Sequence, residues 1–174
     1  MTVHIEHRLD LFLEEELQQV IDYGDALSLS DGKVKDDKID YNIRDSRIAW
    51  IHPNTDTHWL FSRAILVFKS SLPFFSTLQS MQYTVYDSKG SHYDWHKDVG
   101  NGDEIMKARV NVGIVQLSSP SEYKGGVLQL KHQDQVIDVM KTKGMVTTFP
   151  IQLEHRVTPV TSGVRKTLIM WGLV

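Results

Sequence analysis

The chain of 174 residues contains no cysteine. That absence excludes disulfides, thiolate zinc sites, iron–sulfur clusters and a cysteine nucleophile together. Prolines are few, at 5, and no apolar run approaches the roughly 18 residues of a membrane span. The opening MTVHIEHRLD lacks the apolar core of a secretory signal, so a cytoplasmic setting is expected. Charge of one sign is also missing. With 19 basic and 22 acidic residues, the net charge of −3 gives no electrostatic claim on nucleic acid, and none on a membrane. What is present is 41% hydrophobic residues, enough for a real core, and 8 histidines. A metal held by this chain must be held by imidazole and carboxylate.

The hydrophobic period divides the chain. Residues 1–78 read as a helical buttress. In LFLEEELQQVIDYGDAL, Leu13, Leu17, Val20, Ile21, Gly24 and Leu27 recur at helical spacing behind three glutamates. Residues 30–40 are charged and turn-rich and read as a surface loop, and 47–51 (RIAWI) as a short strand. A second helix follows, capped by Asn54 or Thr55, with Phe61, Ala64, Ile65, Phe68 and Leu72 on its apolar face, ending before Pro73. From Leu78 onward the period is two. Short β-rich runs alternate with turns such as DSKG, GNGD and KTKG. The expected fold is mainly β, a sandwich, barrel or jelly roll over about residues 79–174, with supporting N-terminal helices in one 1–174 domain.

The densest chemistry is His92-Tyr93-Asp94-Trp95-His96-Lys97-Asp98. In a regular strand His92, Asp94, His96 and Asp98 share one face and Tyr93 and Trp95 the other. A wet edge strand explains such a run as well. The overlap offers two His-x-Asp pairs, and His96/Asp98 is favoured because Val-Gly-Asn-Gly follows at once, placing the pair at a mouth. His155 is the candidate third ligand. Two imidazoles and a carboxylate on one octahedral face are diagnostic of non-haem Fe(II) oxygenases, although a tetrahedral zinc site uses the same donors. On the last strand Arg165, Thr167, Ile169 and Trp171 share a face. An arginine facing a barrel interior needs an anion, such as a bound dicarboxylate.

His96-x-Asp98, His155 and Arg165 ten residues on resemble the signature of the Fe(II)/2-oxoglutarate-dependent dioxygenases. More narrowly, Tyr86 to Asp98 resembles the prolyl 4-hydroxylase branch, as do Arg109 opening a strand, the Gly125-Gly126-Val-Leu-Gln-Leu turn and strand, and Trp171 near the end. The resemblance spans roughly residues 79–173 and implies a double-stranded β-helix (jelly-roll, cupin-like) core. It implies that His96, Asp98 and His155 bind Fe(II), that Arg165 pairs with the distal carboxylate of 2-oxoglutarate, and that Tyr86 lines the cosubstrate pocket. It places Tyr93, Arg109 and Trp171 beside a substrate proline, and for Tyr93 this requires a twist or bulge. In some relatives a residue near the position of Gln116 also touches the cosubstrate; Gln116 and Arg109 face opposite ways in a regular strand. The implied activity couples O2 and 2-oxoglutarate to hydroxylation of a C–H bond, with succinate and CO2 released and ascorbate as a reductant. The implied partner is a proline-containing peptide or protein, with a free amino acid or small molecule as runner-up; oligomeric state is left open. The loop 99–107 reads as a lid or a plain turn. Two other classes stand beside this reading: a cupin-like metal-binding module without oxygenase activity, and a β-sandwich interaction domain whose histidines are incidental. Arg165 argues against the first, since a non-catalytic cupin has no need of it.

Overall fold

A computed structural model describes residues 4–34, 38–69, 75–87, 90–99 and 104–174. In chain order the strands are β1 (Glu6–Arg8), β2 (Ser30–Asp31), β3 (Arg44–Asp45), β4 (Arg47–Ile51), β5 (Thr77–Leu78), β6 (Met81–Tyr86), β7 (His92–His96), β8 (Arg109–Gln116), β9 (Tyr123–Gly125), β10 (Leu128–His132), β11 (Gln135–Asp138), β12 (Val146–Pro150), β13 (Glu154–Val157), β14 (Val160–Gly163) and β15 (Arg165–Leu173). The helices are α1 (Glu14–Asp25), α2 (His58–Lys69) and the single turn α3 (Glu104–Lys107). No helix among the described residues is long and apolar enough to cross a membrane.

The strands form a jelly roll. The large sheet runs β1-β12-β8-β15-β6-β4-β2, with β5 also pairing β15. The small sheet runs β11-β10-β13-β7-β3, and β14 pairs β9 alone. The N-terminal buttress therefore contributes strands as well as helices, and β4 is integral to the large sheet beside β6. The reason is composition: RIAWI is apolar and β-branched enough to bury Ile48, Ala49 and Ile51.

Alternation gives the large sheet two different faces. Met81, Tyr83, Val85, Val115, Leu168 and Met170 pack outward under the helices, which contribute Leu17, Val20, Leu60, Ala64, Val67 and Phe68. Tyr86, Val112, Ile114, Phe149 and Trp171 point inward, toward Leu128, Leu130 and Val157 of the small sheet. Arg165 and Tyr86 stand on this inner face, directly opposite each other on β15 and β6.

Local chemistry sets the helix ends. Asn54 Oδ1 accepts from the backbone N–H groups of Asp56 and Thr57, at 2.8 and 3.1 Å, and Thr57 Oγ1 accepts from Asn54 N–H at 2.9 Å. Asn54 is thus the cap of a leading turn, and α2 proper starts at His58. Leu72 and Pro73 lie outside the described residues. Leu13 departs from its expected place on the apolar face of α1. It is the exposed N-cap residue, 60% accessible, and its N–H donates to Glu16 Oε2 at 2.9 Å. Glu16 also accepts from Arg63 at 2.8 Å, tying α1 to α2.

Helix α1 lies close on β6 because residue 24 is glycine. A Cβ there would come within 2.6 Å of the Tyr83 ring. The Tyr83 hydroxyl donates to Asp25 Oδ1 at 2.7 Å, and Lys166 Nζ donates to Asp25 Oδ2 at 2.5 Å. Burial pushes the Asp25 pKa up, but the hydrogen bonds from Lys166 and Tyr83 outweigh it and hold it below its ordinary value. A depressed carboxyl stabilises the fold above its unfolded pKa, about 3.9, and that contribution fades as pH falls through the lower folded value. Asp25→Asn is therefore expected to lower the unfolding free energy at pH 7, read by urea titration, by under about 1 kcal/mol, since this carboxylate is half exposed. The difference from the parent should close below pH ~4.

Candidate metal centre

Strand pairing puts His155 of β13 directly opposite His96 of β7. Asp98 follows two residues beyond His96 and is pinned by its N–H donating to Ile151 O at 3.1 Å. Asp98 Oδ1 then lies 3.7 Å from His96 Nε2 and 3.9 Å from His155 Nε2. Among the described residues these three form the one group of ligand-type side chains that can hold a metal, with ligand atoms all within 4.8 Å of one another.

The hydrogen bonds around the trio point its lone pairs at one spot. His96 Nδ1 lies 2.7 Å from Asp94 O, and His155 Nδ1 lies 3.0 Å from Leu153 O. A carbonyl can only accept, so each Nδ1 carries the proton and each Nε2 is left free as a donor atom. Burial, and then the His155 charge, push the His96 pKa down to about 3. The imidazole is thus neutral at pH 7. Burial raises the Asp98 pKa, but the two histidines and Trp171 more than offset it, so the carboxyl stays below its ordinary value. Trp171 Nε1 donates to Asp98 Oδ2 at 2.9 Å and leaves Oδ1 to face the histidines. Trp171→Phe removes that bond. It is expected to weaken metal binding about tenfold or more, read by calorimetric titration with Mn(II).

The rival pair stays apart. Both ring nitrogens of His92 sit against backbone carbonyls, Gly90 O at 3.0 Å and Asn42 O at 3.1 Å, and Asp94 accepts the Trp95 N–H.

Strict alternation along β7 is overturned by a bulge. His96 faces His155 and Tyr93 faces Val157, so three steps on β7 match two on β13. Tyr93 therefore shares the face of His96 and stacks on it, with ring centroids 3.5 Å apart. Trp95 is left to the far side, under Arg156 at 4.7 Å. A second irregularity, at Gly172/Leu173 opposite Arg109, turns Arg109 the same way as Gln116's face. Its guanidinium lies 4.1 Å over the Trp171 ring and donates to Gln79 Oε1 at 2.7 Å.

Deeper on the inner face, Arg165 is directly opposite Tyr86, and its Cζ lies 5.2 Å from that ring. Thr167 is opposite Gln116, which sets Gln116 beside Arg165. Both residues are 1% exposed. Arg165 Nε and Nη2 and both amide atoms of Gln116 have no partner among the described residues. Buried open donors of this kind fit a carboxylate ligand. Of the loop 99–107, residues 100–103 lie outside the described residues, and 104–107 form α3.

Sequence reasoning overlooked four neighbours. Arg44, between the charged loop 30–40 and the strand read at 47–51, is buried, bonded to Ser46, Lys33 O and Gln82, and lies 4.6 Å from the Tyr93 ring. Trp50 lies 5.8 Å from Trp171. Tyr123 and Lys141 close on Arg165 from outside the large sheet. The one available signal was Tyr123's place just before Gly125-Gly126.

Two imidazoles and a carboxylate gathered inside a jelly roll, with an open cationic pocket behind, define a non-haem metal centre of the facial-triad class. The chain belongs to the 2OG-Fe(II) oxygenase superfamily, whose family model matches residues 81–172, just over half its length. The cofactors of that family are Fe(II), 2-oxoglutarate and O2. A PKHD-type hydroxylase of Azoarcus sp. is 30% identical over 116 residues, covering 64% of this chain and 47% of the relative. One of Pseudoalteromonas atlantica is 26% identical over 174 residues, covering 93% and 74%. The chain spans less than half the length of two of the first relatives it matches, 47% and 37%. Among solved structures, a prolyl hydroxylase of Trichoplax adhaerens in complex with a hypoxia inducible factor peptide superposes with a TM-score of 0.80 at 19% identity, covering 97% of this chain and 83% of that one. A Pseudomonas putida prolyl-4-hydroxylase gives 0.80 at 17%, covering 99% and 94%. These likenesses share the fold.

Proposed function

We propose that residues 1–174 act as one Fe(II)- and 2-oxoglutarate-dependent hydroxylase domain whose substrate is a prolyl residue in a peptide or protein. The observation that carries this is the His96/Asp98/His155 trio at the small sheet, together with the buried Arg165 guanidinium on the inner face of the large sheet. In this reading the trio holds Fe(II), Arg165 takes the distal carboxylate of 2-oxoglutarate, and Tyr86 walls its pocket. Bound together, iron and 2-oxoglutarate would activate O2, one oxygen atom going into succinate as CO2 leaves and the other into the substrate C–H bond. The residues of the chain orient and exclude water. Trp171 fixes Asp98, the two Nδ1 bonds fix the imidazoles, and the inner-face aliphatics keep the pocket dry.

The prolyl assignment draws on the mouth and on the likeness to prolyl hydroxylases. Tyr93, Trp171 and Arg109 stand as a wall of two rings and a cation beside the trio. A pyrrolidine ring suits such flat aromatic faces. Ile39, Tyr41 and Ile43 are 50, 57 and 40% exposed on the stretch leading into β3, next to the ligand strand, and offer an apolar rest for a peptide. The reading extends to a cytoplasmic setting, in keeping with a chain that has no cysteine to oxidise. The test is incubation with Fe(II), ascorbate, 2-oxoglutarate and proline-containing peptides, with succinate and hydroxyproline measured. Succinate without any peptide product moves the assignment to a small-molecule substrate, and no succinate at all sinks the oxygenase reading.

A further inference from the structure

Arg165 and Gln116 do not exhaust the open polar atoms of the pocket. The Tyr123 hydroxyl is also buried without a hydrogen bond of ordinary geometry among the described residues, in a residue 3% exposed. An open buried donor has given up its water without a replacement, so a cluster of them marks a place for a ligand. Tyr123 reaches this place from β9, outside both main sheets, and its register there follows from two left-handed glycines, Gly125 (φ 70°) and Gly126 (φ 57°). A Cβ on Gly126 would lie 3.0 Å from Arg165 Cδ and 3.2 Å from Tyr123 Cε2. The bare glycine lets the tyrosine ring close on the arginine stem. The two groups stand side by side, and while burial pushes the Tyr123 pKa up, the Arg165 charge and a hydrogen bond from its guanidinium, looser than ordinary geometry, pull against it and leave the hydroxyl proton free to donate.

A second cation stands behind the ring. Lys141 Nζ lies 4.1 Å from the Tyr123 centroid and donates to Gly125 O at 3.1 Å. Burial, and then the Arg165 charge, lower the Lys141 pKa, so its ammonium feels the same pocket. A cation over the face of a phenol draws density from the ring and makes the hydroxyl a stronger donor. The donor count then fits one kind of ligand. A carboxylate offers about four lone-pair sites. Arg165 Nε and Nη2, Gln116 Nε2 and the Tyr123 hydroxyl are four open donors.

We propose that Tyr123, backed by Lys141, is a specificity-determining residue for the cosubstrate. Its hydroxyl donates to the distal carboxylate beside Arg165, so that a 2-oxo acid without that carboxylate is rejected. The inference rests on the oxygenase reading above.

The test is calorimetric binding to the Mn(II)-loaded protein of 2-oxoglutarate and of 2-oxopentanoate, which has the same chain length and a methyl in place of the distal carboxylate. Tyr123→Phe should lose about tenfold in affinity for 2-oxoglutarate and nothing for 2-oxopentanoate. Lys141→Met should lose about threefold, with Lys141→Arg near the parent value. If Tyr123→Phe folds poorly, the Met/Arg pair at Lys141 reads the same contrast. An equal loss for both acids, or no loss for either, overturns the proposal alone, because the parent still binds 2-oxoglutarate. A parent protein that fails to bind 2-oxoglutarate overturns the functional reading and this inference with it.

Discussion

His155→Ala is expected to cut Fe(II) affinity by on the order of 10^3-fold and to abolish turnover, since losing a partner one shell out already costs about 10–100-fold. The side chain is 4% exposed and lies edge-on to Phe149 with centroids 4.9 Å apart, so no water-borne group can take its place. It sits opposite His96 in a paired strand, and the His96 and His155 rings are 4.1 Å apart. Removing one imidazole leaves two donors, too few to hold a divalent ion against water. Metal content after dialysis, read by atomic absorption, measures this directly. His92→Ala is the matched control and should keep full metal content, because both nitrogens of His92 are already placed against carbonyls. Loss of metal from His92→Ala with retention in His155→Ala would falsify the choice of ligands.

The alternation along β15 was legible because that strand is paired on both sides, to β6 and β8, over most of its length. Its period of two cannot slip without turning Leu168 and Met170 out of the helical core. For the same reason Tyr86 stands on the face of β6 opposite Met81, Tyr83 and Val85, between β4 and β15. The face of Tyr93 was not legible. Whether β7 carries an extra residue is decided by its partner β13, some sixty positions later, and a one-residue bulge leaves no mark on local period. The facing of Arg109 relative to Gln116 was hidden by the same kind of irregularity at Gly172/Leu173. Arg44 was hidden differently. Nothing in its local sequence marks it for burial, and the groups that hold it are Gln82 and the Lys33 carbonyl, which only the folded chain brings near. The metal donors were visible because their chemistry is carried by residue type, whereas the groups that orient them, Trp171 on Asp98 and two backbone carbonyls, are visible only in space.

Arg165→Met separates binding from stability, and the two should move in opposite directions. In the ligand-free fold Arg165 is a fully buried charge with two of its nitrogens unpartnered. Taking such a charge out of water is expensive, and replacing it with an apolar side chain of similar length is often neutral or stabilising. The melting temperature of the ligand-free variant should therefore hold or rise. With 2-oxoglutarate the balance reverses. The guanidinium and the distal carboxylate form a buried pair, and truncating one partner of such a pair costs about 2–5 kcal/mol, roughly thirtyfold to several thousandfold in affinity. Fe(II) affinity should stay near the parent value, because the trio's hydrogen bonds come from Trp171, Asp94 and Leu153 and none comes from Arg165. Differential scanning fluorimetry with and without 2-oxoglutarate shows both effects in one experiment. The parent gains a ligand-dependent rise in melting temperature, and the variant starts no lower and gains almost none. A variant that melts well below the parent and also loses Fe(II) would mean that Arg165 serves the fold. Stability given up in the empty pocket and recovered only on binding is the signature of a residue kept for its ligand.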